Sequence, residues 1–166
     1  MPGTQDFSTS YLPQQPVNSF MFRKLVQSET INLVTNPHRF DLAGLQFTGI
    51  SGQSIHDMQM FSKLQDMSGL NCLRTLMELR HLCPTAPDTL RSFPFSREDP
   101  FVITEPADVV FTGCMPEYQA SLEFQDESKF KRTALKLICV PAFLKTRSVV
   151  LLDTYSLESY ELKMHN

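Results

Sequence analysis

Leu45-Gln46-Phe47-Thr48-Gly49-Ile50-Ser51-Gly52-Gln53-Ser54-Ile55-His56-Asp57 is the passage on which the fold turns. Leu45 to Gly49 reads as a short strand, apolar and polar residues alternating along it. Ser54, with Asp57 three residues on, has the form of a helix start with Ser54 as the cap. Ile55, Met58, Phe61 and Leu64 then recur along one side, as a helix with one buried face requires. A strand that passes into a helix within a few residues predicts a mixed α/β unit.

Outward from this passage the same mixture continues. Upstream, Thr30-Ile31-Asn32-Leu33-Val34-Thr35 alternates and stops at Asn36-Pro37, which predicts a strand closed by a turn. Phe20 to Leu25 is expected to form a short helical turn. Residues 1–19 form an irregular lead-in, because the prolines of Leu12-Pro13-Gln14-Gln15-Pro16 exclude regular helix and central strand. Downstream, Leu70, Leu73, Leu76 and Met77 predict a second amphipathic helix over residues 69–81, stopped by Pro84. The methionines among them read as core filling. Pro84 to Pro100 is too proline-rich for a regular element and too apolar for a solvated linker, so it is expected to be a long ordered loop. Strands are then predicted at Phe101–Thr104, Asp108–Thr112, Ala134–Val140 and Ser148–Asp153, with a further one within Tyr155–Lys163.

The 166 residues, 42% apolar and 20% charged, suit one globular unit and exclude a disordered or collagenous chain. There is no internal repeat. Neither a run of the length a membrane span needs nor a signal-peptide pattern is present, which predicts a soluble intracellular chain. Fifteen basic against eighteen acidic residues give a net charge of −3, so the overall field does not favour a polyanion such as duplex DNA. Cys72, Cys83, Cys114 and Cys139 stand singly, away from the histidines His38, His56, His81 and His165, and read as core thiols in a reducing compartment. No nucleotide cradle or hydrolase elbow occurs.

Leu79-Arg80-His81-Leu82-Cys83-Pro84-Thr85-Ala86-Pro87-Asp88-Thr89-Leu90, followed by Phe93-Pro94-Phe95 and Asp99-Pro100-Phe101-Val102-Ile103, closely resembles the B-subunit family of replicative DNA polymerases, nearest to the small subunits of DNA polymerase delta. Leu12-Pro13-Gln14-Gln15-Pro16, Leu33-Val34-Thr35-Asn36-Pro37, Gly49-Ile50-Ser51-Gly52-Gln53, Val109-Val110-Phe111-Thr112-Gly113 and Val140-Pro141-Ala142-Phe143 extend the likeness in order. The resemblance implies a calcineurin-like phosphoesterase sandwich, layered sheets with flanking helices, of which residues 1–166 would be the C-terminal half. An isolated half is expected to expose a hydrophobic sheet edge.

Active phosphoesterases of this kind hold two divalent metals with carboxylates, imidazoles and an asparagine. Where the family resemblance places Gly-Asn-His-Asp, this chain has Gly3-Thr4-Gln5-Asp6. Where it places a ligand His before Gly, Ser51-Gly52 stands, and in place of Gly-His-x-His the chain has Gly113-Cys114-Met115-Pro116. Thr4, Gln5, Ser51, Cys114 and Pro116 therefore mark degenerate ligand positions, and no catalytic residue, metal or cofactor is expected. His81 reads as anchoring its loop.

By resemblance the chain is a nuclear, non-catalytic scaffold that binds the C-terminal domain of the catalytic subunit of DNA polymerase delta and a third accessory subunit, supporting DNA replication and repair. Two other readings exist: a residual metal-dependent phosphodiesterase or nuclease, and a DNA-binding module. The second rests on Lys129, Lys131, Arg132, Lys136, Lys145 and Arg147, a basic run with no acidic residue between Ser128 and Ser148. Phe93 and Phe95, set among prolines, are candidate partner contacts.

Overall fold

The computed structural model describes residues 1–22, 30–61, 67–124 and 134–164. After the lead-in and a 3-10 turn at Ser19–Phe22, β1 (His38–Leu42) and β2 (Leu45–Ile50) pair as an antiparallel hairpin. Ala43 and Gly44 join them with φ angles of 53° and 80°, both in the left-handed region that lets a two-residue turn match the twist of its strands. α1 (Gln53–Phe61) and α2 (Gly69–Leu79) follow, and the loop of residues 80–108 leads to β3 (Val109–Met115). β4 (Gln119–Phe124), β5 (Ala134–Pro141), the single turn α3 (Phe143–Thr146), β6 (Ser148–Leu152) and β7 (Ser159–Lys163) complete the chain.

Five strands form one sheet in the order β1-β2-β3-β5-β4. β2, β3 and β5 run parallel, and the outer strands β1 and β4 are antiparallel to their neighbours. Parallel strands need both faces covered, and these are. On one face α1, α2 and the 80–108 loop bury Ile50, Ile55, Leu73, Leu76, Leu82, Val110, Leu137 and Cys139 in the main core. On the other, the β6–β7 hairpin lays Val150 and Leu152 against Phe47, Val109 and Ile138. The continuous apolar runs of β3 and β5 follow from this sandwiching between two layers. Leu73 and Leu76 are fully buried, each stabilising the fold by about 1.5–3 kcal/mol relative to an exposed side chain. Gly49 is required by Phe111, whose ring would lie 2.4 Å from a Cβ at that position.

The sheet, the two main helices, the strands at 109, 134 and 148 and the helix-free, strand-free loop of residues 84–100 match the expected mixed α/β architecture. Other details differ, for identifiable reasons. Thr30–Thr35 is not a strand; β1 begins after Asn36-Pro37, because Asn36 is buried and its N–H and C=O exchange hydrogen bonds with Gln14, at 3.1 and 2.7 Å. Phe101–Thr104 makes a single bridge, Val102 to His81, since Phe101 O accepts from Leu82 and Ile103 N–H donates to Arg80 O at the end of α2. α1 starts at Gln53, so Ser54 lies buried inside it and is not the cap. α2 is capped by Ser68, whose Oγ accepts the Asn71 N–H at 3.2 Å, and ends at Leu79 where Arg80 turns left-handed, well short of Pro84. β4 was not anticipated, although Gln119-Ala120-Ser121-Leu122-Glu123-Phe124 alternates polar and apolar residues as a strand does; it hydrogen-bonds to β5 throughout. Leu25 and Leu64 lie outside the described residues.

Candidate functional site

β2 and β3 are parallel neighbours whose pairing ends at Ile50 and Thr112, so Ser51-Gly52 lies at the same end of the sheet as Gly113-Cys114 of β3. The space beyond the C-terminal ends of parallel strands is the usual ligand position in open α/β sheets. The lead-in reaches the same place. A Cβ built at Gly3 would lie 3.9 Å from Ser51 Cβ, and one at Gly113 would lie 3.9 Å from Ser51 Cα. Gly52, with φ of 96°, brings its Cα so near Gly113 that a Cβ would sit 2.5 Å from the carbonyl oxygen. Gly3, Ser51-Gly52 and Gly113, far apart in sequence, therefore converge.

At the convergence the chain builds a cluster of neutral polar groups. Asn36 Nδ2 donates within reach of Gln14 Oε1 (2.8 Å), Ser51 Oγ (2.6 Å) and Gln53 Oε1 (2.9 Å). Asn36 Oδ1 accepts the Ser51 N–H at 3.1 Å. Gln53 Nε2 donates to Gln14 Oε1 at 2.7 Å, and the Ser51 hydroxyl donates to Gln53. Gln14 Nε2 closes the cluster onto the lead-in through Gly3 O (3.2 Å) and Thr9 O (2.9 Å). Gln14, Asn36 and Ser51 are all buried. Beside them opens a cavity of about 340 Å³ with Thr4, Asp6, Ser8, Thr9 and Arg91 in its walls.

These residues do not fit a two-metal centre. Such a centre needs several anionic or imidazole ligands aimed at one point. Thr4 and Gln5 are exposed, and Asp6 turns its carboxylate back onto the Gly3 N–H at 2.7 Å. A bulge between Thr112 and Met115 throws Cys114 outward, at φ of 58°, and Pro116 is exposed beyond it. His56 Nε2 lies 3.3 Å from Cys114 O. Among the described residues no three His, Cys, Asp or Glu side chains converge as a ligand set. Cys72, Cys83 and Cys139 are core thiols as expected, whereas Cys114 is exposed.

The described members of the basic run, Lys136, Lys145 and Arg147, do not form one patch. Lys136 lies within β5 and is only 7% exposed, where burial pushes its ammonium pKa down against the opposing pull of Glu158. Lys145 and Arg147 are exposed around α3, the Arg147 guanidinium 5.9 Å above the Phe143 ring. Lys129, Lys131, Arg132 and His165 lie outside the described residues. Phe93 and Phe95 are 40% and 48% exposed, Phe93 tilted onto Tyr11 at 5.5 Å. The centre of the polar cluster, Gln14 and Asn36, escaped sequence reasoning. Both sit next to prolines, in stretches that carried the family resemblance but offered no sign of a buried polar role.

Residues 1–120 match the model of the B-subunit family of DNA polymerases alpha and epsilon, and the chain belongs to that family. It is 38% identical to the DNA polymerase delta small subunit of Arabidopsis thaliana over 98% of this chain and 36% of that protein. With DNA polymerase delta subunit 2 of Drosophila melanogaster it shares 37% identity over 95% of this chain and 35% of that protein. The DNA polymerase delta small subunit of Saccharomyces cerevisiae is 29% identical, covering 99% of this chain and 38% of the yeast protein. The chain thus spans about a third of the length of the curated relatives it matches. No helix among the described residues is long and apolar enough to cross a membrane.

Proposed function

We propose that this chain forms part of a DNA polymerase delta small subunit and acts in the nucleus as a non-catalytic scaffold. It would hold the C-terminal domain of the catalytic subunit and a further accessory subunit, on the C-terminal portion of a degenerate phosphoesterase-like domain. The observation that carries the reading is the Gln14–Asn36–Ser51–Gln53 cluster. Neutral amides occupy the point where a phosphoesterase needs charge, and their donors and acceptors are already engaged with one another. A fold whose site is sealed in this way retains rigid surfaces, and function then resides in those surfaces.

Co-expression with the C-terminal domain of the catalytic subunit, followed by size-exclusion chromatography with light scattering, tests this. The chain is run beside a version extended to the full length of its relatives. Co-elution of both supports a scaffold surface within these residues. Binding by the extended version alone moves the surface elsewhere, and binding by neither removes the reading. Divalent-dependent turnover of a phosphodiester by the extended version would restore the nuclease reading in its place.

A further inference from the structure

The loop of residues 84–100 has no helix or strand, yet the backbone around it is pinned. Leu82 N–H donates to Phe101 O and Ile103 N–H to Arg80 O, both at 2.9 Å. Midway, Phe93 N–H donates to Leu12 O and Leu12 N–H to Arg91 O, both at 3.0 Å. The Thr89 hydroxyl donates to the buried Asp57 carboxylate at 2.6 Å. Beside this frame lies an open cavity of about 290 Å³ walled by Pro87, Phe93, Pro94, Phe95 and Phe101. The Phe95 and Phe101 rings stand nearly perpendicular, at 87° with centroids 6.3 Å apart.

One anion borders this aromatic cavity. Asp99 Oδ1 accepts the Phe101 N–H at 2.8 Å, and Oδ2 lies 2.9 Å from His81 Nε2. His81 Nδ1 accepts the Cys83 N–H at 3.1 Å, so Nε2 carries the ring proton and donates it to Asp99. Burial of Asp99 works to raise its pKa, but the His81 and Phe101 hydrogen bonds hold it below the usual 3.8. The Cys83 thiol, behind His81, is pushed up to about 12, first by burial and then by the charges of Asp99 and Asp57. Ring faces present negative charge to a guest and attract organic cations, an attraction that strengthens as water is excluded. A carboxylate at the mouth adds a Coulombic term that a neutral guest does not feel.

We propose that this cavity receives the ammonium or guanidinium head of a Lys or Arg side chain from a partner polypeptide, with Asp99 as its counter-ion and the phenylalanines as its walls. The partner as source rests on the scaffold reading; the preference of the cavity for a cation does not. A guest held by a pinned frame needs little ordering of the loop, which favours affinity.

The test is a ¹⁵N–¹H NMR titration, at fixed ionic strength, of the version extended to the full length of its relatives, with n-butylammonium, n-butylguanidinium and, as the neutral probe of similar shape, 1-pentanol. Saturable shifts at the Phe101 and Cys83 amides are expected with both cations, with 1-pentanol binding about tenfold more weakly. Asp99→Asn, which keeps the shape and an acceptor for the Phe101 N–H, is expected to weaken the cations by about tenfold and leave 1-pentanol unchanged. Phe95→Leu gives a second reading independent of the His81 contact, weakening the cations more than the alcohol. Equal binding of alcohol and cations, cation binding untouched in Asp99→Asn, or no saturable shift at those amides each overturns the proposal. Cation binding without co-elution of the catalytic subunit's domain would remove the scaffold reading alone, and co-elution without cation binding would remove the cavity proposal alone.

Discussion

Asn36 shows how much one side chain can organise. Its amide joins Gln14 of the lead-in, Ser51 at the end of β2 and Gln53 at the start of α1. Asn36→Ala leaves the buried Gln14 and Ser51 and the half-buried Gln53 short of a hydrogen bond, and a loss of about 2–4 kcal/mol is expected in urea unfolding. Glu123 presents the opposite case, at the surface. Arg74 first, then Ser121, donates to its carboxylate and holds its pKa below the usual 4.5. A depressed carboxylate pKa contributes stability above the unfolded value and loses it as pH falls through the folded one. Glu123→Gln is therefore expected to cost under about 1 kcal/mol at pH 7, since both partners of the ion pair are about a third exposed, and the cost fades below about pH 4. Urea midpoints of the two proteins at pH 7 and pH 3 check both magnitude and sign.

At the scale of elements, what was legible depended on whether local pattern and tertiary partner agreed. α2 was readable because Leu73 and Leu76 recur on the face that the sheet buries. Thr30–Thr35 carries an alternating pattern, but no strand among the described residues pairs with it, because the chain there is committed to Asn36 and its cluster. β4 carries the same kind of alternation, Ala120, Leu122 and Phe124 set between Gln119, Ser121 and Glu123, and differs in having a complete ladder supplied by β5. β1 was hidden because Ala43-Gly44 lacks the Asn-Gly or Asp-Gly signal of a two-residue hairpin. That turn offers an element-scale prediction. Ala43 holds φ of 53°, a conformation that costs Ala about 1 kcal/mol and Asn less, so Ala43→Asn is expected to raise stability by about 0.5–1 kcal/mol. The thermal midpoint of the variant measures it, and an unchanged or lower midpoint would count against a left-handed turn there.

For the whole molecule, the convergence of Gly3, Ser51-Gly52 and Gly113 was legible from family resemblance, since each stretch matched a motif. The amides that fill the gap were not, because no periodicity or spacing marks a buried Gln or Asn. The outer face of the β6–β7 hairpin carries Leu151, Tyr160 and Leu162, each half exposed or more, opposite the side packed on the sheet. Exposed apolar area of this kind favours association over solution. The isolated chain is accordingly expected to melt broadly and with concentration-dependent light scattering. A sharp, reversible, two-state melt of the monomer in scanning calorimetry would contradict this.

The polar cluster also has a consequence for the chain's dependence on its surroundings. A metalloenzyme carries part of its rigidity in ions that it borrows from solution, so its integrity rises and falls with their supply and with every chelator nearby. Here the tie between the lead-in, β2 and α1 is made of amides encoded in the polypeptide itself. Whatever rests on that end of the sheet is therefore expected to keep its footing when divalent ions are depleted.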